Sequence, residues 1–229
     1  MDFQQIINQF LKTFAKYPFD IFASGLSIAV FVSYIVNKKS IDRVSLSIGF
    51  YAVSMLIFEA WNTSLAMMKT NNFHTYSIFF VIEGILLIRF YRDYFLQNST
   101  KKSIVLIDIT LLFFIIFGII DSLFIQKDTI NSYVAMASGF ILTFLAISYL
   151  LNLFDKMSEL NLLKSPQFII NTGILLYFSG TFIAFTFMTY FLFGVDKAFF
   201  DPWHIITALL IIFRLTLCWG IWVSRTYDH

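Results

Sequence analysis

The chain has 229 residues, of which 59% are hydrophobic and only 13% are charged, and its formal net charge is +2. A soluble domain carries about a quarter charged residues, and the 30 phenylalanines are more than one water-soluble core would bury. The small net charge, without any basic patch interleaved with aromatic residues, argues against a nucleic-acid partner. We therefore expect an integral membrane protein whose main partner is the lipid bilayer.

Seven apolar runs follow one another along the chain, each near the roughly 20 residues that cross a ~30 Å hydrocarbon core. They predict an all-α, seven-helix transmembrane bundle over residues 18–225, and residues 226–229 are a short tail. The predicted spans are Pro18–Val36, Val44–Ala66, Phe73–Phe95, Ile104–Ile125, Asn131–Phe154, Gln167–Phe193 and Pro202–Val223. Pro18 and Pro202 suit a first helical turn, where the missing N–H costs nothing, and Pro166 marks the entry to the sixth span.

The sequence of residues 1–17 predicts an amphipathic helix and not a membrane span. Apolar residues recur at helical spacing from Phe3 to Phe14, and glutamine, asparagine and lysine occupy the opposite face. This pattern is typical of an amphipathic helix that lies in the lipid headgroup layer; a helix that binds a partner is the alternative. The segment has no basic start and no Ala-x-Ala site, so a cleaved signal peptide is not expected.

Lysine and arginine near the span ends predict the orientation, because cytoplasmic loops carry an excess of both. One side carries Lys38, Lys39, Arg43, Arg89, Arg92, Lys101, Lys102, Lys156, Lys164 and Arg225, and the other only Lys12, Lys16, Lys69, Lys127 and Lys197. This imbalance places the N-terminus outside and the C-terminus in the cytoplasm. Because the composition is typical of an AT-rich bacterial genome, we expect a bacterial inner membrane.

Ionisable side chains inside the apolar runs are the candidate functional residues, because charge at membrane depth is costly and needs a partner. Glu83 lies ten residues into the third span, about 15 Å at 1.5 Å per residue, and Arg214 lies at nearly the same depth in the seventh. Glu59 lies in the outer half of the second span, so we expect one arginine and two glutamates to meet near the midplane. Asp20 and Asp121 lie near outer span ends and are expected to reach water.

Further polar residues lie above this band and predict an outward-opening pocket for a small ligand. The candidate ligand-binding set is Glu59, Asn62, His74, Tyr76, Glu83, Tyr177, Thr181, Trp203, His204, Thr207 and Arg214. Two alternatives stay open: the Glu–Arg pair only fixes which helices are neighbours, or it belongs to a proton or ion path. His74, Tyr76 and Trp203 also have the depth of aromatic or interfacial anchors.

The sequence lacks the residues that several well-known functions of membrane proteins and enzymes require. The seventh span has no lysine for a retinal Schiff base, and only His74 and His204 lie near spans, which gives poor support to a zinc site. No G-x-S-x-G or phosphate-binding loop occurs, and the single cysteine, Cys218, forms no intrachain disulfide. We therefore expect no cofactor, no metal and no catalytic residue.

The segment SPQFIINTGILLYFSGTFIAFTF, residues 165–187, resembles a segment of small seven-transmembrane proteins of Bacteroidetes-type bacteria. Those proteins resemble the seven-span sensor modules associated with histidine kinases. The resemblance implies a receptor-like or accessory sensor module that binds a small molecule and signals through a separate protein, such as a histidine kinase. A small-solute or ion transporter or channel is the first alternative, and an intramembrane lipid-modifying enzyme is the second.

Overall fold

The computed structural model describes residues 18–37, 43–68, 73–98, 101–125, 132–156, 162–192 and 202–227. Within these ranges the regular structure is entirely helical, so the all-α prediction is confirmed for them. The long helices are α1 (Pro18–Asn37), α2 (Arg43–Met67), α3 (Phe73–Asn98), α4 (Lys101–Ile120), α5 (Ser132–Lys156), α6 (Pro166–Leu192) and α7 (Pro202–Tyr227). A π-helical segment, Asp121–Ile125, continues α4, and a 3₁₀ turn, Leu162–Lys164, precedes α6. The predicted amphipathic helix at residues 1–17 lies outside the described residues.

Proline sets the start of three helices. The chain has three prolines, and Pro18, Pro166 and Pro202 are each the first residue of a helix. Proline fits there because its missing N–H would have no partner within the helix and its fixed φ is already helical. The helix ends were predicted less well: α3 continues to Asn98 and α7 to Tyr227, each beyond the apolar run that located it.

Five of the described helices are long and apolar enough to cross a membrane, which indicates an integral membrane protein. They cover Pro18–Asn37, Lys101–Ile125, Tyr133–Asp155, Pro166–Phe187 and His204–Ser224. The helices α2 and α3 are as long, but Glu59 and Asn62 in α2 and Glu83, Arg92 and Asp93 in α3 make them more polar. Every long helix exposes large apolar side chains, such as Phe22, Trp61, Phe113, Phe144 and Trp222, and surfaces of this kind need lipid or a partner.

The helices form a ring with one helix outside it. The packing order around the ring is α1, α2, α3, α5, α6 and α7, and α7 closes the ring on α1. Helix α4 packs mainly on the outer side of α3, and most of its large side chains are exposed. Aromatic rings fill the interior; Phe213 stacks on Tyr177 with ring centroids 5.0 Å apart and lies 5.9 Å from Tyr51. The ring therefore places the inward faces of α1, α2, α3, α6 and α7 around one space.

Helix α5 packs closely on α6 at Gly139. A Cβ built on Gly139 would lie 2.9 Å from the Cβ of Phe182 and 3.1 Å from the carbonyl oxygen of Phe178. Since part of this contact is with the α6 backbone, a side-chain rotation cannot relieve it. Small residues commonly allow such close approach between helices in membranes. Gly25 in α1 offers a contrast, because an added Cβ there meets no heavy atom within 4 Å.

We predict that Gly139→Ala lowers the free energy of unfolding by about 1–3 kcal/mol, because the extra methyl group forces α5 away from α6. Gly25→Ala is the matched control and should be neutral or slightly stabilising, as alanine favours helix. Unfolding of the purified protein by SDS titration, followed by circular dichroism, measures both. Equal stability of the two variants would contradict the close approach of α5 and α6.

Candidate functional site

Arg214 holds three helices together inside the ring. Its side chain projects from α7 and is only 2% exposed. One terminal nitrogen, Nη2, donates a hydrogen bond to Oε1 of Glu59 on α2, and the other, Nη1, donates to the carbonyl oxygen of Ala23 on α1. The flat guanidinium group presents its donors in a fixed fork, so one side chain reaches acceptors on two helices. A carbonyl within a helix has a second lone pair for such a bond.

Glu59 is bound through both of its carboxylate oxygens. Oε1 accepts from Arg214, and Oε2 accepts from the hydroxyl of Ser24 on α1 at 2.8 Å. A carboxylate that gives up water at this depth needs such donors, because an unpaired buried charge is strongly unfavourable. The pair of Glu59 and Arg214 expected from their depth in the spans is therefore present.

Glu83 has a different partner from the one expected. It is 2% exposed, and its Oε1 accepts a hydrogen bond from the hydroxyl of Tyr51 on α2 at 2.8 Å. The expected convergence of two glutamates on one arginine is thus replaced by two separate pairs, although Glu83 and Arg214 still interact electrostatically. The predicted depths of Glu59 and Arg214 along their helices agree with the structure. Glu83, however, projects from the side of α3 that faces Tyr51. The only sequence signal for Tyr51 was a tyrosine in an apolar run, whose hydroxyl needs a partner when buried.

Two further hydrogen bonds connect helices nearer the end of the bundle where α1, α3 and α7 begin. The hydroxyl of Thr207 on α7 donates to Oδ1 of Asp20 on α1 at 2.7 Å. The side-chain amide of Asn62 on α2 donates to the hydroxyl oxygen of Tyr76 on α3 at 2.9 Å. These bonds form a second polar level above the Glu59–Arg214 pair.

The expectation that Asp20 and Asp121 simply reach water is corrected. Asp20 is half-buried and bonded to Thr207, as described above. Asp121 has no exposed surface and lies in the π-helical segment after α4, close to the backbone N–H of Val134 in the first turn of α5. The positive end of a helix attracts a carboxylate at such a position.

A cavity of about 160 Å³ lies between these two polar levels and the aromatic interior. Five helices line it: α1, α2, α3, α6 and α7. The lining residues are Asp20, Ala23, Ser24, Phe58, Glu59, Asn62, Tyr76, Phe79, Phe80, Tyr177, Phe185, Ile206, Thr207, Leu210 and Arg214. Pockets for drug-sized ligands measure roughly 300–1,000 Å³, so this cavity suits a ligand of only a few heavy atoms.

The structure brings six of the predicted site residues together around the cavity: Glu59, Asn62, Tyr76, Tyr177, Thr207 and Arg214. Three others do not line it. Glu83 binds Tyr51, Thr181 is buried with its hydroxyl on the Phe178 carbonyl of its own helix, and His204 is exposed. The side chains of His74 and Trp203 lie outside the described residues.

Sequence reasoning missed the contribution of α1. Asp20 and Ser24 both line the cavity, and the carbonyl of Ala23 binds Arg214. An acidic residue in the first turn of a helix is already explained by the helix dipole, and a serine in an apolar helix usually bonds its own backbone. Neither residue type therefore distinguished α1 as part of a site.

A second polar cluster occupies the opposite end of the bundle and centres on one turn of α3. The four consecutive residues 91–94 each bond to a different neighbouring helix. Tyr91 donates to Asn171 on α6 (2.7 Å), Arg92 pairs with Asp108 on α4, Asp93 accepts from Ser47 on α2 (2.9 Å), and Tyr94 donates to Asn152 on α5 (3.3 Å). We call residues 91–94 the α3 hub.

Across the part of the chain that the structure describes, no group of three or more His, Cys, Asp or Glu residues is arranged to hold a metal ion.

We predict that Glu59→Gln lowers the free energy of unfolding by about 3–5 kcal/mol, because it removes the only carboxylate among the described residues that is hydrogen-bonded to the buried Arg214 charge. Adding Arg214→Met removes that charge, so the double variant should regain most of the loss. SDS titration of the purified variants measures the two effects and their coupling.

The pair of Arg92 and Asp108 is the matched control, with side chains 34% and 43% exposed against 2% and 12% for Arg214 and Glu59. Asp108→Asn should cost no more than about 1 kcal/mol, as solvent screens an exposed pair. If the two single substitutions destabilise equally, burial of the Arg214 pair is not what holds α1, α2 and α7 together.

The chain matches no protein-family model, no curated protein and no solved structure. The features that bear on function are therefore the cavity, the buried ion pair and the hydrogen bonds between helices.

Proposed function

We propose that the protein is a receptor-like membrane module that binds a small molecule in the cavity and signals through a separate protein, such as a histidine kinase. The single observation that carries this proposal is a cavity lined by polar residues from five helices. A ligand there contacts groups that belong to different helices, so its binding energy can favour one packing of the ring over another. The histidine-kinase partner rests on the resemblance of residues 165–187 and stays a prediction.

The proposal includes seven crossings of a bacterial cytoplasmic membrane, with the N-terminus outside. Support comes from α2 and α3, which are 25 and 26 residues long and lie within the same ring as four of the five more apolar helices. Their buried acids, Glu59 and Glu83, face protein partners rather than lipid. Polar residues that face the interior of a bundle are tolerated in a membrane span. On this orientation the cavity faces the outside and the α3 hub faces the cytoplasm.

Helix α3 offers a route between the two ends. Tyr76 lies at the cavity, and Tyr91 begins the α3 hub about 23 Å further along the same helix, at 1.5 Å per residue. A rigid helix transmits a small rotation or translation over its whole length, so a change at Tyr76 alters the hub's contacts with α2, α4, α5 and α6. On this orientation the loop between α5 and α6 lies in the cytoplasm, where a partner protein could contact it. Residues 157–161 of this loop lie outside the described residues.

A small transporter is the second candidate, and one observation favours it. Buried polar pairs continue below the cavity, first Tyr51 with Glu83 and then Tyr91 with Asn171. Against it, all three prolines start helices instead of interrupting them, whereas transporters commonly bind substrate at broken helices. The receptor is therefore the better-supported function.

We predict that a library of small polar metabolites contains ligands that raise the melting temperature of the purified wild-type protein, and that Leu210→Trp abolishes this effect. Leu210 lines the cavity, so an indole ring there occupies its volume. Leu215→Trp is the matched control on the same helix, because Leu215 is 49% exposed on the outer face. Ligands that stabilise both tryptophan variants equally would bind elsewhere and contradict the proposal.

A receptor that signals should also change its structure at the end opposite the cavity when a ligand found in this way binds. A fluorophore on Lys164→Cys, in a Cys218→Ser background, reports on the exposed 3₁₀ turn before α6 at the end opposite the cavity. Ligand should change its fluorescence, and proteoliposomes should show no flux of that ligand. Flux without a fluorescence change would favour the transporter.

A further inference from the structure

We infer that the cavity selects a small organic cation, for which Asp20 is the counter-ion. This inference rests on the proposed function, because it names the class of ligand that the cavity takes. Three properties of the cavity support it: the charge balance of the lining, the chemistry of the walls and the volume.

The lining carries two carboxylates, Asp20 and Glu59, and one guanidinium, Arg214. Arg214 already directs one terminal nitrogen to Glu59 and the other to the Ala23 carbonyl, so its positive charge is balanced within the protein. Asp20 has the neutral hydroxyl of Thr207 as its donor, and no lysine, arginine or histidine among the described residues is within ion-pair distance. The described lining therefore has a formal charge of −1, which Asp20 supplies.

An anion is disfavoured by the same arrangement. It would approach the arginine only beside two carboxylates, and like charges repel strongly where water is scarce. A neutral solute would displace water from Asp20 without offering a counter-charge, which costs desolvation energy. A cation alone among the three gains from the charge of the lining.

Aromatic side chains form most of the remaining wall. Phe58 and Phe79 stack with centroids 4.0 Å apart, and Phe80 meets Phe185 edge to face at 5.8 Å. The faces of aromatic rings attract cations, and clusters of aromatic rings recognise quaternary ammonium groups. The apolar walls also favour alkyl groups on the nitrogen over a strongly hydrated metal ion. With about 160 Å³ available, the ligand is an ammonium compound with few carbon atoms.

The test compares three probes of similar shape and different charge: tetramethylammonium, tert-butanol and pivalate. Each is titrated into the purified full chain in nanodiscs made of a neutral lipid, in buffer with constant sodium chloride, and binding is measured by calorimetry and by thermal shift. We expect tetramethylammonium to bind saturably with a Kd below about 10 mM, which a few kcal/mol of interaction is enough to give. We expect no binding of tert-butanol or pivalate. Sodium, present throughout, controls for a nonspecific effect of positive charge.

Asp20→Asn should weaken tetramethylammonium binding at least tenfold, because it removes the charge and keeps an oxygen acceptor for Thr207. Asp155→Asn is the matched control, since Asp155 is an exposed carboxylate at the far end of α5. Thr207→Val should retain the preference for the cation, because it leaves the Asp20 charge in place. A melting curve without probe establishes that each variant is folded. If Asp20→Asn does not fold, binding of tetramethylammonium is compared in Thr207→Val, which should keep it, and in Leu210→Trp, which should lose it because the indole ring fills the cavity.

Two results would overturn the inference. One is that tetramethylammonium fails to bind the wild type, and the other is that a folded Asp20→Asn protein binds it as tightly as the wild type does. Binding of tert-butanol or pivalate that Leu210→Trp abolishes would refute the cation while leaving the cavity as a ligand site. The proposed function fails separately, if the metabolite library yields no ligand that depends on the cavity.

Discussion

The arrangement of the bundle depends on one buried guanidinium group. Arg214 is buried with a counter-charge and with acceptors for its two terminal nitrogens, because an isolated charge in an apolar interior is prohibitively unfavourable. Glu59 supplies the counter-charge from α2, and the Ala23 carbonyl supplies an acceptor from α1. The ring closes where α7 meets α1, so this one side chain fixes the closure as well as the register of three helices.

The same constraint explains why two helices of the ring are less apolar than the rest. Three of the polar residues that lower the hydropathy of α2 and α3, namely Glu59, Asn62 and Glu83, face the interior and bind Arg214, Tyr76 and Tyr51 respectively. The outward faces of the two helices keep apolar residues such as Ile57 and Ile78. Mean hydropathy averages the two faces of a helix, so an inward polar face lowers the value even where the outward face is apolar. In α2, the residues that lower the hydropathy, Glu59 and Asn62, are also residues that make the cavity polar.

The sequence predicted position along each helix better than rotation about it. Prolines located three helix starts, and a constant rise per residue placed Glu59 and Arg214 within reach of each other. Rotation is decided by packing across the ring, which depends on residues far apart in the chain; Glu83 therefore bonds Tyr51 instead of Arg214. For the same reason no local pattern indicated that α4 lies outside the ring or that α1 contributes to the cavity.

Helix α3 joins the two polar regions that the fold creates. Near its start Tyr76 belongs to the cavity, and the hub near its end bonds to four helices within one turn. The buried bonds of Tyr91 and Asp93 are hard to break singly because no water replaces the lost partner, so this part of the hub resists partial rearrangement. The cavity has its own bonds between helices, from Arg214 to Glu59 and Ala23, from Thr207 to Asp20 and from Asn62 to Tyr76. A ligand that contacts these groups therefore acts on the packing of α1, α2, α3 and α7 together. Because α3 belongs to both networks, through Tyr76 at the cavity and residues 91–94 at the hub, a change of packing at one end has to be accommodated at the other, which is the coupling that the proposed receptor would use.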